Sequence, residues 1–310
     1  MSAPKEPAVV HFTRDISPEG LLRAYRALGR PLEGRRVAVK ISTGEAGNPH
    51  YLRPELIGPL VRAVGGDIVE CNTAYEGSRM ETPAHRRTIA EHGFDAVARV
   101  VILDEEGEVE IPCPPGSRHL RKDLVGAAFA DYDGFVILNH FKGHMMGGFG
   151  GALKNLSIGV ASGAGKARIH SGGRTDDTSR VWDSLPPQEV FIESMAEAAG
   201  AVVRYMGDRA VYVSVMNNLS IDCDCDPNPH PPELPDIGIL SSLDPVALDA
   251  ACVALVYAAD PAKGAALRKR METLLGPRIL DHAEALGIGQ KAFRLVSLDG
   301  GEPPSTERRG

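Results

Sequence analysis

Apolar and polar positions alternate along this chain with two periods, and the switching between them gives the elements. Between residues 17 and 30, Leu21, Leu22, Tyr25 and Leu28 form one stripe at helical spacing. Ser17-Pro18 reads as a cap followed by proline at the first helical position, and Gly29 closes the helix. Residues 36 to 42 then read as a strand, residues 54 to 63 as a helix with Leu56, Ile57, Leu60 and Val61 inward, and residues 67 to 71 as a strand. Thr82 caps a helix that starts at Pro83 and runs to about residue 92, where Gly93 stops it. His85 and His92 read as surface positions of that helix.

A strand is expected over 100 to 103, an acidic hairpin or excursion over 104 to 118, a helix over 124 to 130, and a buried strand over 134 to 138. Further on, the pattern predicts a helix from 186 to 199 ended by Gly200, strands at 212 to 216 and 237 to 240, and a helix capped by Asp244 that reaches about 258. That last helix is apolar nearly all round, hence buried. Helices near 262 to 275 and 278 to 287 and a strand from 293 to 298 complete the pattern. Strands alternating with helices predict an α/β fold, a mainly parallel sheet flanked by helices, with the site at the C-terminal edge of the strands. Residues 1 to 299 read as a single α/β domain of one body or two lobes, and residues 300 to 310 as a flexible tail.

Composition narrows the function. Hydrophobic residues make up 43% of the 310, enough for a sizeable core. The net charge of −7 and the scattered Lys and Arg exclude a general nucleic-acid surface. No apolar run approaches the ~18 residues of a membrane span, and the first residues carry no apolar signal core, so the expected location is the cytoplasm. Five cysteines without framework spacing argue against a disulfide scaffold, and no Cys-x-x-Cys pair supports a zinc ribbon or a ferredoxin-type cluster.

The chemistry concentrates in residues 138 to 171. There His140, Lys142, His144, Lys154, Lys166 and His170 are interleaved with Gly147, Gly148, Gly150 and Gly151. Glycines let the backbone approach a ligand, and their N–H groups could form an anion nest. His144 suits acid/base work, and Lys154 suits holding an anion or acting as a desolvated amine. If the segment is helical, His140 and His144 share a face and a metal. Arg79, after Gly77-Ser78 in another strand-end loop, could clamp a carboxylate or phosphate. Cys223 and Cys225, two apart, would point to one side of an extended segment and suit a soft metal, with His170 or His230 as third ligand. The alternative is two free thiols in an acidic loop.

Several motifs occur together: Asn72-Thr-Ala-Tyr75 with Gly77-Ser-Arg79, the glycine-rich stretch, Asp222-Cys-Asp-Cys-Asp226 and Ser242-Leu-Asp-Pro-Val-Ala-Leu-Asp249. In these the chain resembles the domain-of-unknown-function 362 family over roughly residues 36 to 258, without the ferredoxin-like cysteine insert of many members. The frame His144…Gly148-Phe-Gly-Gly151…Lys154…Gly159…His170 also resembles, distantly, the catalytic segment of nickel-dependent lactate racemase. Ile158 stands where that pattern has proline. This likeness implies an acid/base role for His144, a cofactor anchor or substrate-binding cation at Lys154 and a metal ligand at His170. The expectation is an enzyme, racemase/isomerase- or oxidoreductase-like, acting on a small hydroxy- or carboxylic acid with a transition metal (nickel, iron or zinc). Its catalytic set is His144, Lys154 and Arg79. Two alternatives stay open: a metal or iron–sulfur redox protein, and a module that binds a nucleotide or phosphometabolite without turnover. An oligomer is compatible with either.

Overall fold

The computed structural model describes residues 6–32 and 35–308. An eight-stranded sheet runs through them in the order β12-β1-β11-β10-β7-β2-β3-β4. Its strands are β1 (Ala8–Thr13), β2 (Val37–Lys40), β3 (Asp67–Glu70), β4 (Val100–Ile102), β7 (Gly134–His140), β10 (Ala210–Met216), β11 (Gly238–Ser242) and β12 (Phe293–Ser297). Strands β10, β7, β2, β3 and β4 are parallel neighbours, and β11 alone runs against both of its partners. The sheet is therefore mainly parallel and flanked by helices, the α/β class that the pattern predicts.

Residue alternation explains the two cores. On β7, Phe135 and Ile137 face one layer, while Val136 and Leu138 face the other. The second layer holds α1 (Pro18–Ala27), α2 (Pro54–Val64) and α3 (Thr82–Glu91). The first holds α4 (Ala152–Ser157), α5 (Gly163–His170), α6 (Gln188–Met206), α7 (Pro245–Ala258), α8 (Pro261–Thr273) and α9 (Arg278–Ala285). Helix α7 is buried nearly all round, and Asp244 caps it by accepting from the N–H groups of Val246 and Ala247.

Four expectations are corrected. The helix expected over 124 to 130 is instead β6 (Lys122–Gly126), followed by a short 3-10 turn at Ala127–Asp131. β6 pairs antiparallel with β5 (Glu108–Pro112), and only a glycine fits at 126, where a Cβ would lie 2.5 Å from the Leu103 carbonyl carbon. Helix α6 does not end at Gly200 but runs through it to Met206, and glycine stands there for packing, since a side chain would meet Pro114 at 2.5 Å. Strand β1 lies in a segment assigned no element from the pattern. Between His140 and Gly151 there is no helix: β8 (Lys142–His144) and β9 (Gly148–Gly150) form a small hairpin.

Among the described residues no helix is long and apolar enough to cross a membrane. In the tail, Arg308 reaches Glu272 at 2.9 Å and covers the Tyr257 ring at 4.6 Å.

Candidate active site

The carboxyl ends of β2, β3 and β7, adjacent in the sheet, open into a cavity of about 350 Å³. Lys40, Glu70 and His140 end those strands and line it. The loop after β10 brings in Cys223, Asp224 and Cys225, and the segment after β7 supplies Lys142, His144, Gly150, Gly151, Lys154, Lys166 and His170. Arg79 completes the wall next to β3. Gly147 and Gly148 stand outside it: Gly147 packs on Met195 and His144, and Gly148 on Gly276 and Met271.

The β3 wall is a closed ionic network. Arg79 donates from Nη1 to Glu70 at 2.8 Å, from Nε to Glu45 at 3.2 Å and from Nη2 to the Tyr75 hydroxyl at 3.2 Å. With its guanidinium engaged and only 3% exposed, it holds the wall together and has no fork left for a substrate carboxylate. Glu70 also accepts from Thr43 Oγ1 at 2.5 Å and lies 3.3 Å from His85 Nε2. Burial pushes the Glu70 carboxyl up, but Arg79 and then His85 outweigh it and hold it well below the usual range. His85 is thus fully buried, not on the surface, and His92 is half-buried, bonded to the Thr43 carbonyl at 2.7 Å and stacked on Tyr51.

His140 and Lys142 share one partner. His140 Nδ1 lies 2.8 Å from Asp224 Oδ1 and its Nε2 2.7 Å from the Asn217 carbonyl, while Lys142 pairs with Asp224 Oδ2. Both ring nitrogens of His140 are engaged, so it offers no lone pair to a metal, and the shared helix face with His144 does not exist. Burial raises the Asp224 carboxyl, yet His140 and Lys142 pull it far below its ordinary value.

The remaining groups differ. Lys154 is half-buried, and among the described residues its amine has no hydrogen bond or ion pair. Burial, then the charge of Lys142, brings its pKa from 10.5 to about 7. His144 Nδ1 accepts from the Gly147 N–H at 2.8 Å and the Met146 N–H at 3.2 Å. Burial and then Lys154 keep this ring neutral, its pKa well below 6.5, so its one proton sits on Nε2. His170 has the opposite tautomer: Nδ1–H donates to the Lys166 carbonyl at 2.7 Å, leaving the Nε2 lone pair open. Burial brings His170 to about 4. Lys40, passed over in the sequence, is fully buried, and burial lowers it to about 8. A lysine inside the apolar run Val37-Ala-Val-Lys40-Ile41, like a glutamate in Asp67-Ile-Val-Glu70, was the signal for it.

The anion nest expected from the glycines is filled from within. Asp249 accepts from the Ala152 N–H at 2.7 Å and the Leu153 N–H at 2.9 Å, capping α4, and a Cβ on Gly151 would lie 2.4 Å from its Oδ1. The cysteine pair is also corrected: Cys223 and Cys225 are joined in a disulfide. Their sulfurs and a His144 ring nitrogen lie within 4.8 Å of one another. As a disulfide the sulfurs are not thiolate ligands, and the free His144 nitrogen carries a proton, so this donor set does not fit a resident nickel, iron or zinc in the present form. His230 is outside the cavity, bonded through Nδ1 to Asp222 at 2.6 Å.

No curated protein matches the chain. In fold it is similar to the lactate racemase apoprotein from Thermoanaerobacterium thermosaccharolyticum, at 18% identity and a TM-score of 0.39, over 69% of this chain and 52% of that one. It is likewise similar to a Thermotoga maritima protein, at 13% identity and a TM-score of 0.42, over 84% of this chain and 58% of that one. It thus spans little more than half the length of either. The sequence profile of the domain of unknown function DUF362 matches residues 37–254, which carry the cavity walls from Lys40 to Cys225, and the chain belongs to that family.

Proposed function

We propose that the cavity is the active site of an enzyme that moves a proton on a small organic anion, a hydroxy- or carbonyl-bearing carboxylic acid. The observation that carries this is the Lys154 amine, which has no partner among the described residues and shares a cavity with a His144 ring whose backbone contacts fix its proton on Nε2. Lys40, Lys142 and Lys166 give the cavity a positive potential that draws in an anion. Its volume is that of a small-metabolite site. Lys154, with a pKa of about 7, takes the proton, being amine and ammonium in comparable amounts near neutral pH. His144 Nε2–H donates to the substrate oxygen as charge develops on it, as a neutral imidazole does when its pKa is held low. Of the acid/base work expected of His144, this reading keeps the donor's part and gives the acceptor's part to Lys154.

The test uses Trp182, the chain's single tryptophan, which lines the cavity and meets the His170 ring edge-on at 5.9 Å. Titration with a panel of small hydroxy and oxo acids should change its fluorescence saturably, and the acids that bind should be assayed for turnover. A panel that leaves Trp182 unchanged and untransformed sinks the proposal. A second reading rests on the clustering of His144, Cys223 and Cys225: once reduced, the two thiols would hold a soft metal. Zinc uptake by the reduced protein that disappears in Cys223→Ser would favour it.

A further inference from the structure

We propose that Lys154 is a nucleophile that captures a 2-oxo acid or an aldehyde acid as an imine. The inference rests on the active-site reading above, gives the Lys154 amine the nucleophile's role toward carbonyl substrates in place of the base's, and narrows the substrate to acids with a reactive carbonyl. Four lysines line the cavity, and among the described residues only Lys154 makes no hydrogen bond or ion pair. Lys142 is paired with Asp224, Lys40 donates to the Ile41 carbonyl and Lys166 to the Ala161 carbonyl. Lys154 donates to nothing among the described residues and, at about 7, has a substantial amine fraction at neutral pH. A desolvated lysine beside other cations is the arrangement that activates an amine toward carbonyls.

The other groups fit the other parts of such a substrate. An ammonium has three donors, and Lys40 and Lys166 each use one on a carbonyl oxygen among the described residues. Their remaining N–H groups can take the carboxylate. His144 Nε2–H is the donor for the carbonyl oxygen. Leu138, Ile158 and Val181 supply apolar wall, which limits the water that would hydrolyse an imine.

The step balances as a condensation. The amine lone pair forms the C–N bond while the carbonyl π pair moves to oxygen. The oxygen gathers the two amine hydrogens and leaves as water, breaking the C–O bond. The imine nitrogen takes one solvent proton to become the iminium.

The experiment treats the whole protein with glyoxylate or pyruvate and cyanoborohydride, then maps adducts by peptide mass spectrometry. Hydride addition to the iminium carbon leaves a stable secondary amine. The expected result is a saturable adduct on Lys154, one per chain, suppressed by excess of a carboxylate lacking the carbonyl. It should be lost in Lys154→Arg and kept in Lys263→Arg, a change at an exposed position of α8. Adducts scattered over surface lysines, adducts on another cavity lysine, or none at all would overturn the proposal. Mapping on the unsubstituted chain decides this even if Lys154→Arg fails to fold. Binding seen at Trp182 without an adduct removes the imine and keeps the cavity; silence in both removes both.

Discussion

The two sides of the cavity treat buried charge in opposite ways. On the β3 side, Arg79, Glu45, Glu70 and Tyr75 saturate one another, and the arginine is as buried as a core residue. On the α4 and α5 side, Lys154 has no partner among the described residues, and His144 and His170 are held as neutral rings with opposite tautomers. Saturation makes structure: a buried charge with all its hydrogen bonds made holds position and resists change. The unsaturated side stores unfavourable desolvation, which is the usual cost of a group kept ready for chemistry. The difference separates residues by role where sequence could only group them as polar.

The comparison is broken most severely at Lys154. Lys154→Met should lower turnover by about 10²–10⁴-fold, the range for losing a positioned acid/base group. The same change should raise the melting temperature, since it removes a desolvated amine. The folded pKa of about 7 lies below the ordinary 10.5, so the unfolded chain binds more protons between them. Wild-type stability should therefore rise with pH from about 7 to 10.5, and the variant's advantage should be greatest at and below pH 7. Activity should climb through pH 7 as the amine form appears. Calorimetry across this window together with an activity profile checks all three, and a variant less stable than wild type at pH 7 would contradict the unpartnered amine.

On the paired side the sign reverses. Glu70→Gln leaves Arg79 half-compensated and unsettles His85, and should cost roughly 3–5 kcal/mol of stability, as breaking a buried pair does. Urea unfolding gives the value directly. Turnover per folded molecule should change far less than for Lys154→Met. An equal loss of turnover would erase the distinction between the walls.

Sequence showed the sheet better than the site. Continuous apolar runs such as residues 134 to 138 and the uniformly apolar Pro245–Ala258 carry their burial in their own letters. What was hidden depends on partners far along the chain. His85 looks like any polar helix residue until Glu70, on β3, is placed 3.3 Å from it. Gly200 reads as a helix stop because sequence cannot show Pro114 and Ile288 pressing on it. The glycines near 150 read as an anion nest because Asp249, almost a hundred residues later, is what fills it. The gathering of His144, Lys154, Lys166 and His170 was legible, because nitrogen side chains and glycines crowd one short stretch. Which of them would be left unpaired was not.

The smallest effect sharpens the comparison at the join between the walls. Gly143 lies on β8 between Lys142 and His144, and a Cβ there would stand 2.1 Å from the Ile221 carbonyl oxygen. Gly143 N–H also donates to the Ser220 carbonyl at 2.8 Å, so β8 and the loop carrying Cys223, Asp224 and Cys225 touch backbone to backbone. Gly143→Ala must push them apart, costing about 1–3 kcal/mol as overpacking does. The shift would loosen Lys142 from Asp224 without removing either. Because Lys142 is the foremost charge holding the Lys154 pKa down after burial, moving it should displace the acidic limb of the activity profile toward higher pH. A melting curve lowered with the limb unmoved would show that the two walls do not communicate through this contact.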